Sequence, residues 1–359
     1  MKLIIALIVS VSLAAVTGAY AQDNVKALYE KAKKEGQVVM AAGSPPVALK
    51  AQIGGFMKRF PGIQVNHIPS TGSDASAKIQ LETRMGMATY EVAQATTTSA
   101  ERLLKADLLA PFPYHEFGIA KNEISFGERL VPWFDLTRVL GFNTKLVSRD
   151  QVPTTWEGLL DPKWKGRKII VVGRGYPFGD LVPEWGLEKT MEYTRKFRAQ
   201  NPIIHSRGGP QTLESLVAGQ APLALIQFDR VFRAKVKDGA PVDFLWITPM
   251  SVTRFYSIAV KKVRNPNAAK LLTGYLGTPE ASALMEKASF RSQLGPSAQT
   301  DAAKMARAAG VKFVWNAPTM EEARELNMGL TPAGITITAQ YTAMGPGRRG
   351  GARANPKES

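Results

Sequence analysis

The sequence predicts an α/β protein made of two lobes. Short apolar runs typical of buried strands alternate with stretches whose apolar residues recur at helical spacing, which indicates a mostly parallel sheet flanked by helices. This alternation weakens over residues 111–128, which are rich in Pro, Phe and Gly, and then resumes. The chain has 359 residues, too many for one ordinary core, so the two blocks predict two lobes.

The first block opens with a helix and continues with three strand–helix units. Apolar residues recur at helical spacing from Val25, and Lys33-Lys34-Glu35-Gly36 gives this helix a basic end that closes on glycine. Strands are predicted at residues 37–42, 63–68 and 91–95. A turn or polar loop follows each strand and opens the next helix.

The second block begins with a run at residues 130–142. The pattern then repeats through five shorter segments, at residues 156–160, 168–172, 188–197, 213–217 and 223–228. A short apolar run at residues 257–260 precedes a set of helices, of which 268–276 and 280–287 are the clearest. We found no short tandem repeat.

The N-terminus has the features of a secretory signal peptide. Lys2 gives a positive start, residues 3–16 are almost wholly apolar, and Ala19-Tyr20-Ala21 matches the small-x-small pattern of a signal peptidase site. The apolar run is shorter than the ~20 residues that span a bilayer, which favours a cleaved signal over a membrane anchor. We therefore expect residues 1–21 to be removed and a mature periplasmic protein to begin near Gln22.

Composition excludes several kinds of site. The chain has no cysteine, which excludes disulfides, thiolate catalysis, zinc–sulfur sites and a lipid-modified cysteine. The formal net charge of +16 suits nucleic acid, an anionic surface or an anionic small ligand, and secretion argues against nucleic acid. The one local basic cluster lies in the tail, residues 341–359, which we expect to be disordered and solvated.

Several segments resemble the type II periplasmic solute-binding proteins of ABC importers, in particular their ferric-iron-type, family 1-like branch. The segments that carry the resemblance are Leu28–Gly36, Gly141–Val147, Thr155–Gly166, Asn265–Leu272 and Thr278–Ala281. Together they are specific for the family but not for a ligand. The resemblance covers roughly residues 25–330.

The resemblance implies a discontinuous two-lobed architecture. Lobe one would combine residues 22–120 with 250–340, and residues 121–249 would form the hinge crossing and lobe two. A small ligand would bind in the cleft, and closure would present a surface to an inner-membrane ABC permease. We expect a monomer without a cofactor that binds its ligand by hinge closure.

Three polar loops in lobe one are candidates for holding a ligand, because each lies where a predicted strand ends and a helix begins. The unpaired N–H groups and positive dipole of a helix N-terminus attract anions, and open α/β sheets bind ligands at this edge. The candidate residues are Ser44, Thr71, Gly72, Ser73, Thr98 and Ser99. The alternative is ordinary helix capping, which prefers the same residue types.

Lobe two offers two segments in which glycine accompanies arginine near a strand end. Backbone without side chains allows an anion to approach, and a guanidinium group can pair with it. The candidates are Arg174, Tyr176, Arg207, Gly208 and Gly209. The alternative is a pair of surface turns with solvated arginines.

The segment Gly219–Arg230 resembles the stretch where iron-binding relatives place two adjacent tyrosine ligands. Here those positions read Asp229-Arg230, and none of the nine tyrosines is adjacent to another. Arginine repels a cation and cannot ligate a metal, so we expect no metal site and instead a carboxylate, phosphate or phosphonate ligand. The alternative is that Arg230 only pairs with Asp229 or another neighbouring carboxylate.

Two aromatic residues near the crossing between lobes, Trp133 and Tyr256, could line an apolar wall for an organic ligand. Packing at the hinge is the alternative for both. Three rival functions stay open: a ferric-iron receptor that uses scattered tyrosines with an anion, a sensor for a membrane kinase, and a periplasmic hydrolase. The hydrolase is disfavoured because none of the short catalytic motifs is present and only three histidines are available.

Overall fold

The computed structural model describes residues 23–172, 181–205 and 209–315. The predicted signal peptide and basic tail lie outside these ranges, as do four candidate ligand residues: Arg174, Tyr176, Arg207 and Gly208. No helix within the described ranges has both the length and the apolar character that crossing a membrane requires.

The described chain alternates strands and helices from its first element. Helix α1 spans residues 23–35. The other helices are α2 Pro46–Arg59, α3 Gly72–Arg84, α4 Thr97–Lys105, α5 Val182–Trp185, α6 Leu187–Ala199, α7 Gly209–Val217, α8 Asp229–Lys237, α9 Pro266–Leu276, α10 Pro279–Ser289 and α11 Asp301–Ala308. The strands are β1 Gln37–Ala42, β2 Gln64–Pro69, β3 Val92–Ala95, β4 Val131–Asn143, β5 Ile169–Val172, β6 Ile203–His205, β7 Leu223–Gln227, β8 Val242–Leu245, β9 Met250–Ala259 and β10 Phe313–Trp315. Short 3-10 helices occur at Tyr114–Phe117, Lys121–Glu123, Arg149–Gln151, Glu157–Leu160 and Pro162–Trp164.

The strands are ordered β2-β1-β3-β9-β4-β7-β5-β6, with β10 beside β9 and β8 beside β4. At one end β1 pairs in parallel with β2 and β3, and at the other β5 pairs in parallel with β6 and β7. Every antiparallel pairing between two of these described strands involves β4 or β9. These two strands therefore join two parallel sheets.

Strand β4 is 13 residues long and buried throughout, which is more than twice the usual strand length. Its first half pairs with β9, from Val131 opposite Ser257 to Thr137 opposite Val252. Its second half pairs with β7 and β8 instead. The partner changes after Thr137, so β4 continues from one sheet into the other.

The hydrophobic residues form two large cores that meet along β4. We call core one the cluster that contains Phe56, Phe134 and Tyr275, and core two the cluster that contains Phe142, Trp156 and Phe232. Alternate residues of β1 belong to core one and to a smaller cluster on the opposite face of the sheet. That part of the sheet is therefore covered on both faces, as the sequence predicts, and the α/β fold class is confirmed.

Candidate functional site

The turn between β7 and α8 positions the two site residues at which the sequence departs from the iron-binding pattern. Phe228 has φ +79°, a backbone conformation that a bulky residue rarely adopts, and its N–H donates to the carbonyl oxygen of Thr137 on β4. Asp229 and Arg230 follow at once as the first two residues of α8. The side chains of both residues lie at the end of β7, where parallel sheets place ligands.

Asp229 is a buried carboxyl group that is only partly satisfied. It is 3% exposed, and its Oδ2 atom has no hydrogen-bond partner. Burial raises its pKa to about 7, although the charges of Arg233 and Arg230 and the Arg230 backbone N–H favour the ionised form. Near neutral pH, Asp229 therefore offsets only part of the positive charge around it.

Arg230 is half-buried and stacks on an aromatic ring, with its guanidinium carbon 5.4 Å from the centre of the Phe228 ring. Its Nε atom is buried without a hydrogen-bond partner, and the guanidinium group has no ion pair within 4 Å among the described residues. Burial lowers its pKa, and the charge of Asp229 opposes that shift. A stacked guanidinium with free N–H groups is preorganised for a planar or tetrahedral oxyanion.

Arg291 is a second arginine at this site, and sequence reasoning missed it. It is 9% exposed, and its guanidinium carbon lies 4.9 Å from the centre of the Phe134 ring. Its Nη1 atom donates to Ser44 Oγ at 2.7 Å, while its Nε atom has no partner. Burial and the positive charge of Arg230 lower its pKa to about 10. The two arginines are also linked through Arg233, which follows Arg230 on α8 and contacts Ser292, the residue after Arg291, at 3.1 Å.

Ser44 is the predicted loop residue that the structure brings into this site. It is buried after β1, and its hydroxyl group donates to Gln94 Oε1 at 3.1 Å while it accepts from Arg291. Gln94 also accepts from the backbone N–H of Gly43 at 3.3 Å. Ser44 therefore anchors the Arg291 guanidinium to the ends of β1 and β3.

The other hydroxyl residues of lobe one have helix-capping partners or exposed side chains. Thr71 caps α3 by accepting from the Asp74 N–H at 3.2 Å, and Ser99 forms a reciprocal capping box with Thr96. Ser73 and Thr98 are exposed. At Gly72, an added Cβ atom would lie 3.0 Å from the Gln94 carbonyl oxygen, so glycine lets α3 approach β3 closely. Whether these residues contact a ligand remains a prediction, as it does for Gly209, the first residue of α7.

The structure places both predicted aromatic residues in the interior. Trp133 lies where the β4–β9 register shifts, is fully buried in core one and donates from Nε1 to Gln52 Oε1 at 2.9 Å. Tyr256 is 2% exposed, and its hydroxyl group shares hydrogen bonds with Thr97 and Ser125. The ring that faces Arg291 belongs instead to Phe134, which stacks on Phe255 at 4.7 Å.

The unpaired state of Arg230 and Arg291 contrasts with two other arginines nearby. Arg254 makes a two-pronged contact with Asp135 at 2.8 and 3.0 Å, and it also approaches Glu123. Arg233, one turn further along α8, pairs with Glu286 of α10 at 2.9 Å. Each of these two arginines therefore has a carboxylate partner. In the described part of the chain, no carboxylate forms an ion pair within 4 Å with Arg230 or Arg291, and Asp229 beside Arg230 is only partly ionised.

A family model described as bacterial extracellular solute-binding protein matches residues 51–321, about three quarters of the chain. The chain belongs to this family of bacterial extracellular solute-binding proteins. No curated protein is similar enough in sequence to match it.

Solved structures similar to this solute-binding protein have the same two-lobed fold. Iron-bound HitA from Pseudomonas aeruginosa is 17% identical with a TM-score of 0.64, over 85% of this chain and 99% of that one. The Trichodesmium protein IdiA (FutA), in complex with iron and citrate ligands, is 17% identical with a TM-score of 0.63, over 86% and 98% of the two chains. A putative extracellular solute-binding protein from Bordetella parapertussis is 13% identical with a TM-score of 0.69, over 85% and 98%. Identity this low shows a common fold and not a common ligand.

This solute-binding protein lacks a recognisable metal centre in the ranges that the structure describes. No group of three or more His, Asp or Glu side chains there is arranged to hold an ion. Burial raises the pKa of Tyr256, so its phenolate form, which would ligate ferric iron, is harder to reach.

Proposed function

We propose that this protein is a periplasmic receptor that captures a small anionic organic ligand, a carboxylate, phosphate or phosphonate, for an ABC importer. One observation carries the proposal: the half-buried guanidinium group of Arg230 and the buried one of Arg291 have no ion pair within 4 Å among the described residues, and the Nε atom of each is buried without a partner. Burying an unpaired charge is costly, and an anionic ligand would remove that cost. The protein would bind this ligand and release it unchanged, without turnover.

The proposed site lies between two lobes. Lobe one would comprise residues 22–120 and 250–340, and lobe two residues 121–249, a division that the separate cores support. Arg291 rests on Phe134 of core one, whereas α8, which carries Arg230, contributes Phe232 to core two. A ligand that touches both arginines would favour the closed arrangement by its differential affinity.

Export belongs to the same proposal. A signal peptide cut after Ala21 would deliver a monomeric receptor to the periplasm, where residues 341–359 would form a solvated tail. The family is extracellular, and the basic N-terminus, apolar run and Ala19-Tyr20-Ala21 site support this route. Closure would present a surface to a membrane permease, with a kinase sensor as the alternative partner.

Ferric iron is the second candidate ligand, and the similarity to iron-binding proteins such as HitA favours it. Iron and citrate bind together in the Trichodesmium structure, and an anion held by Arg230 and Arg291 could in the same way complete an iron site. Such a site would need oxygen ligands beyond the carboxyl group of Asp229. Metal binding would give a visible charge-transfer colour if tyrosine took part.

Thermal unfolding of the purified mature protein separates the two candidates. The panel contains phosphate, phosphonates, aliphatic and aromatic carboxylates, ferric citrate, polyamines and sugars. A ligand at ~100 times its dissociation constant stabilises the folded state by about 2.7 kcal/mol, which raises the unfolding midpoint by several degrees. A rise with organic or phosphorus anions supports the proposal, whereas a rise with ferric salts alone, with colour, supports iron.

A further inference from the structure

We infer that Arg230 and Arg291 together select a doubly charged oxyanion, and that their mutual repulsion keeps the cleft open until such a ligand binds. This inference rests on the proposal that the site between them binds an anion. Arg291 lies in no motif that would mark it as a site residue. It follows α10 and contacts Ser44, which is 247 residues earlier in the chain.

Arg230 and Arg291 lie on two segments that touch each other. Arg233, one turn after Arg230 on α8, donates to the carbonyl oxygen of Phe290 at 3.4 Å and to Ser292 Oγ at 3.1 Å, on either side of Arg291. Arg230 lies on α8, and Phe232 of the same helix packs in core two against Phe244 at 5.9 Å. Arg291 follows α10 and rests on the ring of Phe134 in core one. Phe228, on which Arg230 stacks, packs against core one, so the start of α8 contacts both cores. A motion that moves α8 away from the segment after α10 would therefore separate the two positive charges, and closure would bring them together.

Both arginines are held in place by the backbone and by aromatic rings. Phe228 and Phe290, which precede them closely, both have positive φ angles, +79° and +57°. Each guanidinium group lies over a ring, Phe228 for Arg230 and Phe134 for Arg291. These contacts limit how far the two guanidinium groups can move apart while the lobes are in contact. An anionic ligand between them would therefore reduce their repulsion.

The contact between α8 and the α10 segment also contains an attractive ion pair, which favours closure in the absence of ligand. Arg233 of α8 pairs with Glu286 of α10 at 2.9 Å and donates to Ser292 Oγ at 3.1 Å. Burial opposes ionisation of Glu286, but hydrogen bonds from Ser292 and from the N–H groups of Ala302 and Asp301 lower its pKa. This pair is therefore charged at neutral pH and opposes the repulsion between Arg230 and Arg291.

The balance of charges at the boundary sets the preferred ligand charge. Arg233 and Glu286 neutralise each other, and Asp229 is only partly ionised near neutral pH. Arg230 and Arg291 therefore leave between one and two positive charges uncompensated. A dianion removes this excess, whereas a monoanion leaves part of the repulsion and closes the cleft less completely.

A pair of dyes measures the closed fraction without ligand. Because the chain has no cysteine, exposed Lys31 on α1 and Arg195 on α6 can each be changed to cysteine and labelled for energy transfer. We expect Arg291→Gln to raise the ratio of closed to open molecules at least several-fold, and Arg230→Gln to act in the same direction. Glu286→Gln, the matched control, should lower that ratio. If neither Arg291→Gln nor Arg230→Gln raises the closed fraction, repulsion between the two arginines does not keep the cleft open.

Calorimetric titration at pH 7, where Asp229 is only partly ionised, tests the preference for a dianion. The probes are succinate against its monomethyl ester, and methyl phosphate against dimethyl phosphate. We expect each dianion to bind the wild-type protein at least tenfold more tightly than its monoanionic partner, and Arg291→Gln to lose most of that ratio. The pair that binds more tightly distinguishes a carboxylate from a phosphoryl ligand. Equal affinity for mono- and dianions overturns the charge selection.

The two arms separate failure of this inference from failure of the proposed function. If ferric salts bind and no anion does, the proposed ligand class and the dianion preference are both wrong. The dye measurement without ligand still shows whether repulsion between the two arginines keeps the cleft open. If anions bind without preference for two charges and Arg291→Gln does not close the cleft, the proposed function stands and this inference is wrong.

Discussion

The arginines of the candidate site differ from other buried arginines in their partners. Arg254 has Asp135, and Arg233 has Glu286, so each of these guanidinium groups contributes to the contact between elements. Arg230 and Arg291 have aromatic rings beneath them but free N–H groups. A buried guanidinium group without an ion pair costs stability, and in the proposed site an anionic ligand would offset that cost.

Removing the Arg230 side chain should weaken ligand binding. We expect Arg230→Ala to cost roughly 2–5 kcal/mol of binding free energy, because a buried ligand charge would lose its partner. Arg149 of lobe two is the matched control, since its side chain is 63% exposed and pairs with Asp243 at the surface. Arg149→Ala should leave the dissociation constant unchanged in the same titration. An unaltered dissociation constant for Arg230→Ala would remove this residue from the site.

Asp229 should make stability depend on pH. Its pKa is about 7 in the folded protein and near 3.9 when unfolded, so the folded state binds the extra proton between these values. The free energy of unfolding should therefore fall as pH rises from about 4 to 7, by as much as about 4 kcal/mol.

Asp229→Asn removes this titration. Chemical denaturation across that pH range should show the variant gaining stability over the wild type as pH rises, with the difference constant above about pH 8. If the two proteins have parallel pH profiles, Asp229 is not held neutral by its surroundings.

At the residue scale the sequence singled out Ser44 after β1 and Asp229 and Arg230 after β7, and the structure places Ser44 against Arg291 and the other two at the start of α8. Their contact with a ligand stays a prediction. Arg291 could not be predicted, because it follows an ordinary helix and reaches the site only when the chain returns to lobe one. Thr71 and Ser99 have the residue types that helix caps and anion sites share, so their pattern could not distinguish the two.

Among elements, the long strands β4 and β9 determine how the lobes are joined. The sequence predicted β4 nearly completely, because apolar residues stand on both sides of Asp135, Thr137 and Arg138. Only the last residues of β9 were predicted, because Ser251, Thr253 and Arg254 interrupt its apolar run. Arg254 is nevertheless buried, since Asp135 on the adjacent β4 compensates its charge. Such a pair across two strands is not visible in either segment alone.

Gly141 allows α8 to pack against β4. A Cβ atom there would lie 2.1 Å from Cζ of Phe232, so Gly141→Ala should displace this ring and destabilise the protein by about 1–3 kcal/mol. Gly54 on α2 is the matched control, because it is exposed and has no atom within 4 Å of an added Cβ.

Gly54→Ala should instead stabilise the protein by about 0.5–1 kcal/mol, through the higher helix propensity of alanine. Urea denaturation measures both changes. A neutral Gly141→Ala would mean that Phe232 moves aside without cost, and α8 would then be less firmly placed than the structure indicates.

Across the whole molecule, the contact between α8 and the α10 segment combines one attractive and one repulsive charge pair. The sequence predicted two lobes and a cleft, and the family and the fold agree with that prediction. It could not predict the charge balance of the boundary, which depends on Arg233, Glu286 and Arg291 meeting from distant parts of the chain. The proposed preference for a dianion therefore depends on the folded molecule and could not be predicted from a sequence motif.

The net charge of +16 should steer an anionic ligand toward the protein. We expect the association rate constant of a bound dianion, measured by stopped-flow fluorescence, to fall roughly tenfold between about 0.01 M and 0.15 M salt, as screening shortens the reach of the charges. The dissociation rate constant should change less, because contacts in the closed site are shielded from salt. An association rate constant independent of salt would contradict steering.

The most direct test of the anion-binding site is a calorimetric titration of the wild-type protein and the Arg230→Gln, Arg291→Gln double variant with the best anion from the thermal panel. Binding by the wild type and a loss of at least 100-fold in affinity in a folded double variant is the result that this site predicts. If the double variant binds the anion as well as the wild type, or if only ferric iron binds either protein, the two arginines do not form the ligand site.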